Sequence, residues 1–379
     1  MLSKKIARHF GADMCENVNK ASYSRNCLLL YVLEPFITEV ININHQNQWQ
    51  AKELAKIVGE FGFNVDVVRF NAKSVRLNKM YDMVIDIHPG MNDCYALHMN
   101  SGCLRIAYIT GSNPSFSNQA KRDRLNSLYE RHGKQLKQRR YAPPLIKGEI
   151  EKLEAFFFLG NKYNCETYSE FNLRHVDFIR NTGVCGFETV DYSRKSPKNF
   201  LFLASGGQVH KGLDLLLDIF SSNSDLNLFV CSSFKSEWDF CKLFRRELFK
   251  SSNIHPVGFI NTESDRFRDI CSECSYVVLP SCSEANAGSV LTGMAAGLIP
   301  IVSRESGFAE DEVHYLEDCS LRTINTAIRD FAGKNREWIE HESYKTLQLV
   351  RDRYGHENYS ESVRVALSLL LETGQSNAR

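Results

Sequence analysis

The sequence has almost no net charge: 46 Lys and Arg stand against 45 Asp and Glu, a formal +1. No global field therefore gathers polyanions, and any preference for acidic surfaces has to come from a local cluster. No apolar run reaches the ~18 residues that a membrane span needs, so the chain is expected to touch a bilayer at most. The stretch from Met1 to Lys20 is polar and lacks the apolar core of a secretory leader. Internal repeats and low-complexity stretches are absent as well. Cysteine, by contrast, is plentiful. The 12 thiols fall in apolar runs, as at Cys27, Cys231 and Cys282. Without a leader they read as reduced, buried thiols of a cytoplasmic protein. Cys271 and Cys274 form a CxxC, but no second pair stands at zinc-ligand spacing. The pair reads as one face of a helix rather than a metal site.

What is present is alternation. Over 379 residues, 43% of them hydrophobic, short apolar runs alternate with amphipathic ones, and the length suits two domains. Strands are predicted at 27–33, 64–70, 81–88, 104–110 and 155–159, with a helix over 49–61. The composition turns polar at 191–198, and the alternation then restarts. Strands are predicted at 199–204, 226–231, 254–259, 276–279 and 299–303. Helices are predicted at 213–220, 240–249, 267–274 and 289–296, and the tail from Trp338 to Leu371 reads as helical. Strand–helix–strand repetition argues for parallel sheets covered on both faces. The expected division is an N-terminal Rossmann-like domain over 1–190, a second one over 198–340, and a helical segment over 341–379 packing back on the first.

Three pieces of the second half carry chemistry. Ala204-Ser-Gly-Gly-Gln-Val-His-Lys-Gly-Leu-Asp214 follows a strand and precedes a helix. Gly206 and Gly207 let backbone approach a ligand. Lys211, with His210 before it, places charge near a helix start where N–H groups already favour anions. A diphosphate suits such a site, although an ordinary glycine turn with a solvated lysine has the same pattern. Val278-Leu-Pro-Ser-Cys-Ser-Glu-Ala-Asn-Ala-Gly-Ser-Val290 ends a buried strand in proline. Glu284, Asn286 and Ala287 then lead to a new helix at Gly288 and Ser289. A carboxylate beside an anion site needs other work, such as holding sugar hydroxyls; otherwise it simply caps the helix. Gly293-Met-Ala-Ala-Gly297 is a small-residue helix running into the next strand.

In order and spacing these pieces resemble the retaining glycosyltransferases of sequence family 4, which have the two-Rossmann GT-B architecture. The resemblance rests on Lys211-Gly212, Pro280-Ser281, Glu284 and Met294-Ala295-Ala296-Gly297 and covers about residues 199 to 310. It extends to a bacterial polysaccharide-assembly subgroup. It implies a nucleotide-diphosphate sugar as donor, transfer with retention and no metal. It also implies that Lys211 and the helix start at Gly288-Ser289 stabilise the leaving diphosphate while Glu284 holds the sugar. Two positions depart from the family pattern. The second glutamate, which holds ribose, falls on Thr292, whose single hydroxyl cannot accept both hydrogen bonds. The arginine five positions before the lysine falls on Gly206. Gly258 and Phe259, in Val257-Gly-Phe-Ile260, correspond to a turn that lies against the base.

In the first half, Asp86-Ile-His-Pro-Gly90 ends a strand, so His88 is a candidate catalytic group facing an interdomain cleft. His45 is a weaker one. Thr110-Gly-Ser-Asn-Pro114 and Gly160-Asn-Lys-Tyr-Asn164 are polar turns after strands, placed either to line a cleft or merely to turn. Residues 121–140 hold eight basic residues against two acidic ones, a balance of +6. Such a run is commonly a solvated helix face. With Arg139 and Arg140 at its end, its functional reading is attraction to a pyrophosphate-linked acceptor or an anionic membrane, at about 1 kcal/mol per well-placed basic residue. Aromatic residues are sparse there, so no nucleic-acid site is read.

The sequence thus points to a metal- and cofactor-independent glycosyltransferase. It would use a saccharide or lipid-linked acceptor in surface polysaccharide synthesis, in the cytoplasm or at the inner face of the membrane. The rival readings are a non-catalytic GT-B partner subunit, for which Thr292 and Gly206 speak, and a GT-B sugar epimerase, for which no acid–base pair stands out.

Overall fold

The protein is described from a computed structural model covering residues 13–38, 46–72, 75–89, 93–183 and 191–376. Buried apolar runs build two sheets. The first contains β1 (Met14–Cys15), β2 (Arg25–Tyr31), β3 (Phe63–Arg69), β4 (Tyr81–Asp86), β5 (Met99–Ile109), β6 (Ala155–Leu159) and β7 (Val176–Ile179), in the order β1-β3-β2-β4-β5-β6-β7. All neighbours are parallel except β1, which pairs antiparallel with β3. The second contains β8 (Ser196–Leu203), β9 (Asn227–Cys231), β10 (Ile254–His255), β11 (Cys274–Leu279), β12 (Ile299–Ser303) and β13 (His314–Leu316). It is wholly parallel, in the order β10-β9-β8-β11-β12-β13. That is the doubly wound order in which the chain reverses direction beside the first strand. The α/β class with two parallel sheets, expected from the alternation, is what the structure shows.

The helices that matter for the site are α1 (Gln46–Glu60), α2 (Pro114–His132), α3 (Leu213–Ser221), α4 (Gly288–Ala295), α5 (Arg336–Arg353) and α6 (His356–Ser376). α2 starts at a proline behind Asn113, whose side chain accepts the Ser115 N–H, and stops at Gly133 with φ +63. This pairing of a proline start with a left-handed glycine stop delimits helices generally. α2 belongs in sequence to the first sheet, yet its Leu125 and Leu128 are buried in the core of the second. The tail divides in two. α5 places Ile339 and Val350 in the second core, whereas α6 places Tyr359, Val363 and Leu367 in the first.

Several local expectations are corrected. The helix expected over 240–249 is two short ones, Trp238–Leu243 and Arg245–Lys250, broken at Phe244. The strand expected over 254–259 stops after two residues, because the chain turns at Gly258 with φ +92. Cys271 and Cys274 do not share a helix face. The helix Asp265–Glu273 ends between them, Cys274 opens β11, and both carbonyls accept the buried Lys195 amine. Ten cysteines, from Cys15 to Cys319, are free thiols.

Candidate functional site

In each sheet the two central strands end side by side, and the loops that leave them diverge. This crevice is where open parallel sheets bind ligands. The two crevices face one another. One cavity of about 490 Å³ is lined by Tyr31, Val32, Ile87 and His88 from the first domain and by Ser205, Lys211 and Glu284 from the second. A second cavity of about 330 Å³ adjoins it on the side of Ser112, Ser117 and Tyr141, and His88, Arg140 and Glu284 line both.

Lys211 and Glu284 form a buried ion pair across this wall, their side chains 7% and 14% exposed. The Ser281 hydroxyl donates to the same Glu284 Oε1 at 2.7 Å, and His210 Nε2 lies 3.7 Å from it. Oε2 has no protein partner among the described residues. Burial alone would raise the carboxyl pKa, but the charges of Lys211 and Arg140 beside it more than offset this and bring it down to about 2. Burial also lowers the Lys211 amine, against the pull of Glu284, and pushes His210 down to about 3. The His210 ring is therefore neutral. Nε2 meets the Ser283 carbonyl at 2.5 Å, so the proton sits on Nε2, and Nδ1 is buried without a partner. Gly212 is required behind Lys211: with φ +80, it lies so close to β11 that an added Cβ would sit 2.5 Å from the Pro280 oxygen.

The glycine turn is not the open anion cradle that its sequence suggests. The N–H groups of Gly207 and Gln208 both point at the carboxylate of Glu237, which is 3% exposed. Gly206 and Gly207 thus stand behind the cavity rather than in it. Free donors are found instead at the start of α4. Its N-cap is Ala287, which offers no side-chain cap, and the Gly288 and Ser289 N–H groups have no partner among the described residues. Both residues line the cavity, with Asn286, Ala287 and Thr292. The Thr292 hydroxyl donates back to the Gly288 carbonyl at 3.0 Å, so it can only accept, and a ligand must approach it as a donor. Phe259 is 65% exposed and its ring lies at the cavity edge. The Gly258 N–H is already given to the Val230 carbonyl.

From the first domain, His88 reaches the cavity above Asp86, which accepts its backbone N–H at 2.8 Å and the Tyr95 hydroxyl at 3.1 Å. Burial lowers the His88 pKa, so the ring is neutral. His45 lies outside the described residues. The basic run over 121–140 is not a uniformly solvated face: Arg122, Lys134, Lys137 and Arg140 are exposed, whereas Lys121 and Arg124 are buried and Arg131 and Arg139 are half-buried. Arg124 donates to the Pro280 carbonyl at 3.0 Å, and Arg131 pairs with Asp214 and Asp218 of α3. Arg139 is committed to Asp239 at 2.6 Å and to Glu237 at 3.6 Å, so its charge is already answered within the protein. Arg140 alone of the two arginines lines the cavity.

Sequence reasoning missed the groups that hold the Glu284 loop. Ser112 Oγ and Asn164 Nδ2 donate to the Glu284 carbonyl at 2.6 and 2.9 Å, and Asn181 Nδ2 donates to the Asn286 carbonyl at 2.9 Å. Gln46 Nε2 donates to the Gly288 carbonyl at 3.2 Å. The signal available for Ser112 and Asn164 was that both sit in polar turns directly after strands.

No protein-family model matches the sequence, and no curated protein does. Solved structures do. Sucrose-phosphate synthase from Thermosynechococcus elongatus superposes at a TM-score of 0.63 with 11% identity, over 93% of this chain and all of that one (100%). WaaG, a glycosyltransferase involved in lipopolysaccharide biosynthesis, gives 0.51 at 13% identity, over 90% and 99%. TarM of S. aureus, as a point mutant in complex with fondaparinux, alpha-GlcNAc-glycerol and UDP, gives 0.53 at 12% identity, over 76% of this chain. The chain spans about half of TarM, 55% of its length. Likeness at this identity establishes the fold. Two Rossmann-like domains face one another across a cleft, so the protein has the GT-B architecture.

Proposed function

We propose that this protein is a glycosyltransferase that moves a sugar from a nucleotide-diphosphate donor to a saccharide or lipid-linked acceptor. The carrying observation is one wall of the cleft, where the buried Lys211–Glu284 pair stands beside the unanswered Gly288 and Ser289 N–H groups. As the sugar leaves, negative charge grows on the diphosphate. Fixed donors aimed at that charge in a site with little water are an effective stabiliser. Lys211 and the α4 start supply them without a metal. Glu284, held ionised, accepts hydrogen bonds from sugar hydroxyls through Oε2. Neutral His88 faces the sugar from the other domain, where the acceptor enters through the smaller cavity. Retention of configuration, and a place in surface polysaccharide synthesis at the inner face of the membrane, complete the reading. WaaG and the UDP-bound TarM lend it support by fold. Among the described residues no helix is long and apolar enough to cross a membrane.

The test is calorimetric titration of the protein with ADP, GDP, UDP and dTDP. Binding of one of them at micromolar concentration, competed by the matching nucleotide sugar, is the expected result. Absence of binding to any nucleotide or nucleotide sugar would overturn the donor site and favour a non-catalytic partner role.

A further inference from the structure

The cations of the cleft differ in what answers their charge. Lys211 is paired with Glu284. Lys121, 5% exposed, gives its ammonium to the Arg140 carbonyl at 2.7 Å. Arg140 has no carboxylate partner among the described residues. Its Nη1 donates to the Ser205 hydroxyl at 3.2 Å and reaches the Gly206 carbonyl at 3.5 Å, both neutral groups. Among the described residues lining the two cavities, Glu284 is the one carboxylate, and Lys211 already occupies it.

The backbone under Arg140 is built to hold this guanidinium in place. Its φ is +55, in the left-handed region that a residue with a side chain enters only when its surroundings enforce it. Those surroundings are visible on both sides. Lys121 holds the carbonyl, the preceding Arg139 is anchored on Asp239, and Leu136 is buried in the core of the second domain. A segment belonging to the first domain is thereby pinned to the second, and its last residue overhangs Ser205.

We propose that Arg140 is a donor-diphosphate cation supplied by the N-terminal domain. Its planar fork grips phosphate oxygens opposite Lys211 and the α4 N–H groups, because a guanidinium can meet two such oxygens at once. The donor site is then complete only with residues 133–140 seated on the second domain. This rests on the nucleotide-sugar reading above.

The test uses the full chain, the best-binding nucleoside diphosphate from the titration above and the nucleoside without phosphate. Arg140→Gln should weaken the diphosphate about 10- to 100-fold, the range of a lost charge-assisted hydrogen bond, and leave the nucleoside within about threefold. Arg140→Lys, which keeps the charge and loses the fork, should fall between native and Arg140→Gln and serves if the latter folds poorly. Arg122→Gln, on the exposed face of α2 in the same basic run, should bind like the native chain. Diphosphate affinity unchanged in both Arg140 variants would overturn the assignment while leaving the donor site standing. Equal losses for nucleoside and diphosphate would overturn it too, because they mark a merely structural role. Failure of the native chain to bind any diphosphate would remove the donor reading and this assignment together.

Discussion

Two loops close the ligand end of the C-terminal sheet, and their backbones are satisfied in opposite ways. In the turn after β8 the Gly207 and Gln208 amides are answered from within the domain, both on Glu237. The loop after β11 has several of its carbonyls answered by the first domain, while those of Ser281 and Ser283 are answered by Ser303 and His210 of its own. Pro280 accepts from Arg124, Glu284 from Ser112 and Asn164, and Asn286 from Asn181. The N–H groups beyond it, at Gly288 and Ser289 in the cavity wall, have no partner among the described residues. A glycine-rich turn is therefore not an anion site by composition. What decides is which backbone donors the protein has left unpaired.

Lys211 and Glu284 join the two loops, and breaking that join should have the largest effect. Removing one partner of a buried ion pair leaves an uncompensated charge, at a cost of about 3–5 kcal/mol. Lys211→Ala should therefore lose transfer and also unfold at much lower urea. The double variant Lys211→Met/Glu284→Gln should recover most of the stability and none of the transfer. A single variant as stable as the native chain would mean that the pair is solvated and that the loops are joined by something else.

Glu237 tests whether the first loop is truly closed. Glu237→Ala strands two amides in a buried turn and removes a partner of Arg139, which should cost about 2–4 kcal/mol in urea unfolding. Pyrophosphate affinity should not rise. A variant that binds pyrophosphate more tightly than the native chain would show an anion site masked by its own carboxylate, and the contrast between the loops would collapse.

His210 lets the join be read through pH. It belongs to the first loop, its ring binds the Ser283 carbonyl of the second, and its own carbonyl accepts the Cys282 N–H at 3.0 Å. Its folded pKa of about 3 lies below the reference 6.5. The neutral ring therefore contributes stability that is present above pH 6.5 and lost as the pH falls toward 3. Glu284, at about 2 against 4.5, adds its own loss only below pH 4.5. Between pH 7 and pH 5 the His210 contribution should shrink by about 2 kcal/mol, at 1.4 kcal/mol per pH unit below 6.5. His210→Gln keeps a donor for Ser283 and should remove that slope. The check is the difference between the two proteins' urea midpoints at pH 5 and pH 7. Equal slopes would place a solvated ring at this position.

The same contrast explains what could be read from the sequence. The strands were legible because they are nearly continuous buried runs, such as Cys27 to Tyr31 and Tyr276 to Leu279. β1, β7 and β13 were not, being two, four and three residues long at sheet edges. Lys211 and Glu284 were legible as a pair because each follows a strand end, and strand ends of one parallel sheet gather at one crevice. Glu237 was not, and Arg139 and Asn164, though named as an acceptor-side cation and part of a cleft-lining turn, were not legible as an anchor on Asp239 and a donor to the Glu284 carbonyl. Each acts on partners about 30 to 120 residues away through one to three hydrogen bonds or ion pairs. Such contacts leave no periodicity, and a polar residue after a strand reads equally well as a turn.

The smallest effect is the most direct probe of the grip on the second loop. Ser112 and Asn164 donate to the same Glu284 oxygen from two different segments of the first domain, a loop and the short helix Lys162–Glu166. Each alanine variant should cost about 1 kcal/mol, a typical net value for one hydrogen bond. The two costs should not add, because the acceptor carbonyl stays half satisfied until the second donor is lost. The double variant should therefore lose more than the sum, and kcat should fall further than stability, since the Glu284 side chain hangs from that carbonyl. Strict additivity in the double-mutant cycle would mean that the two donors act independently. The second loop would then hold its shape, like the first, from within its own domain.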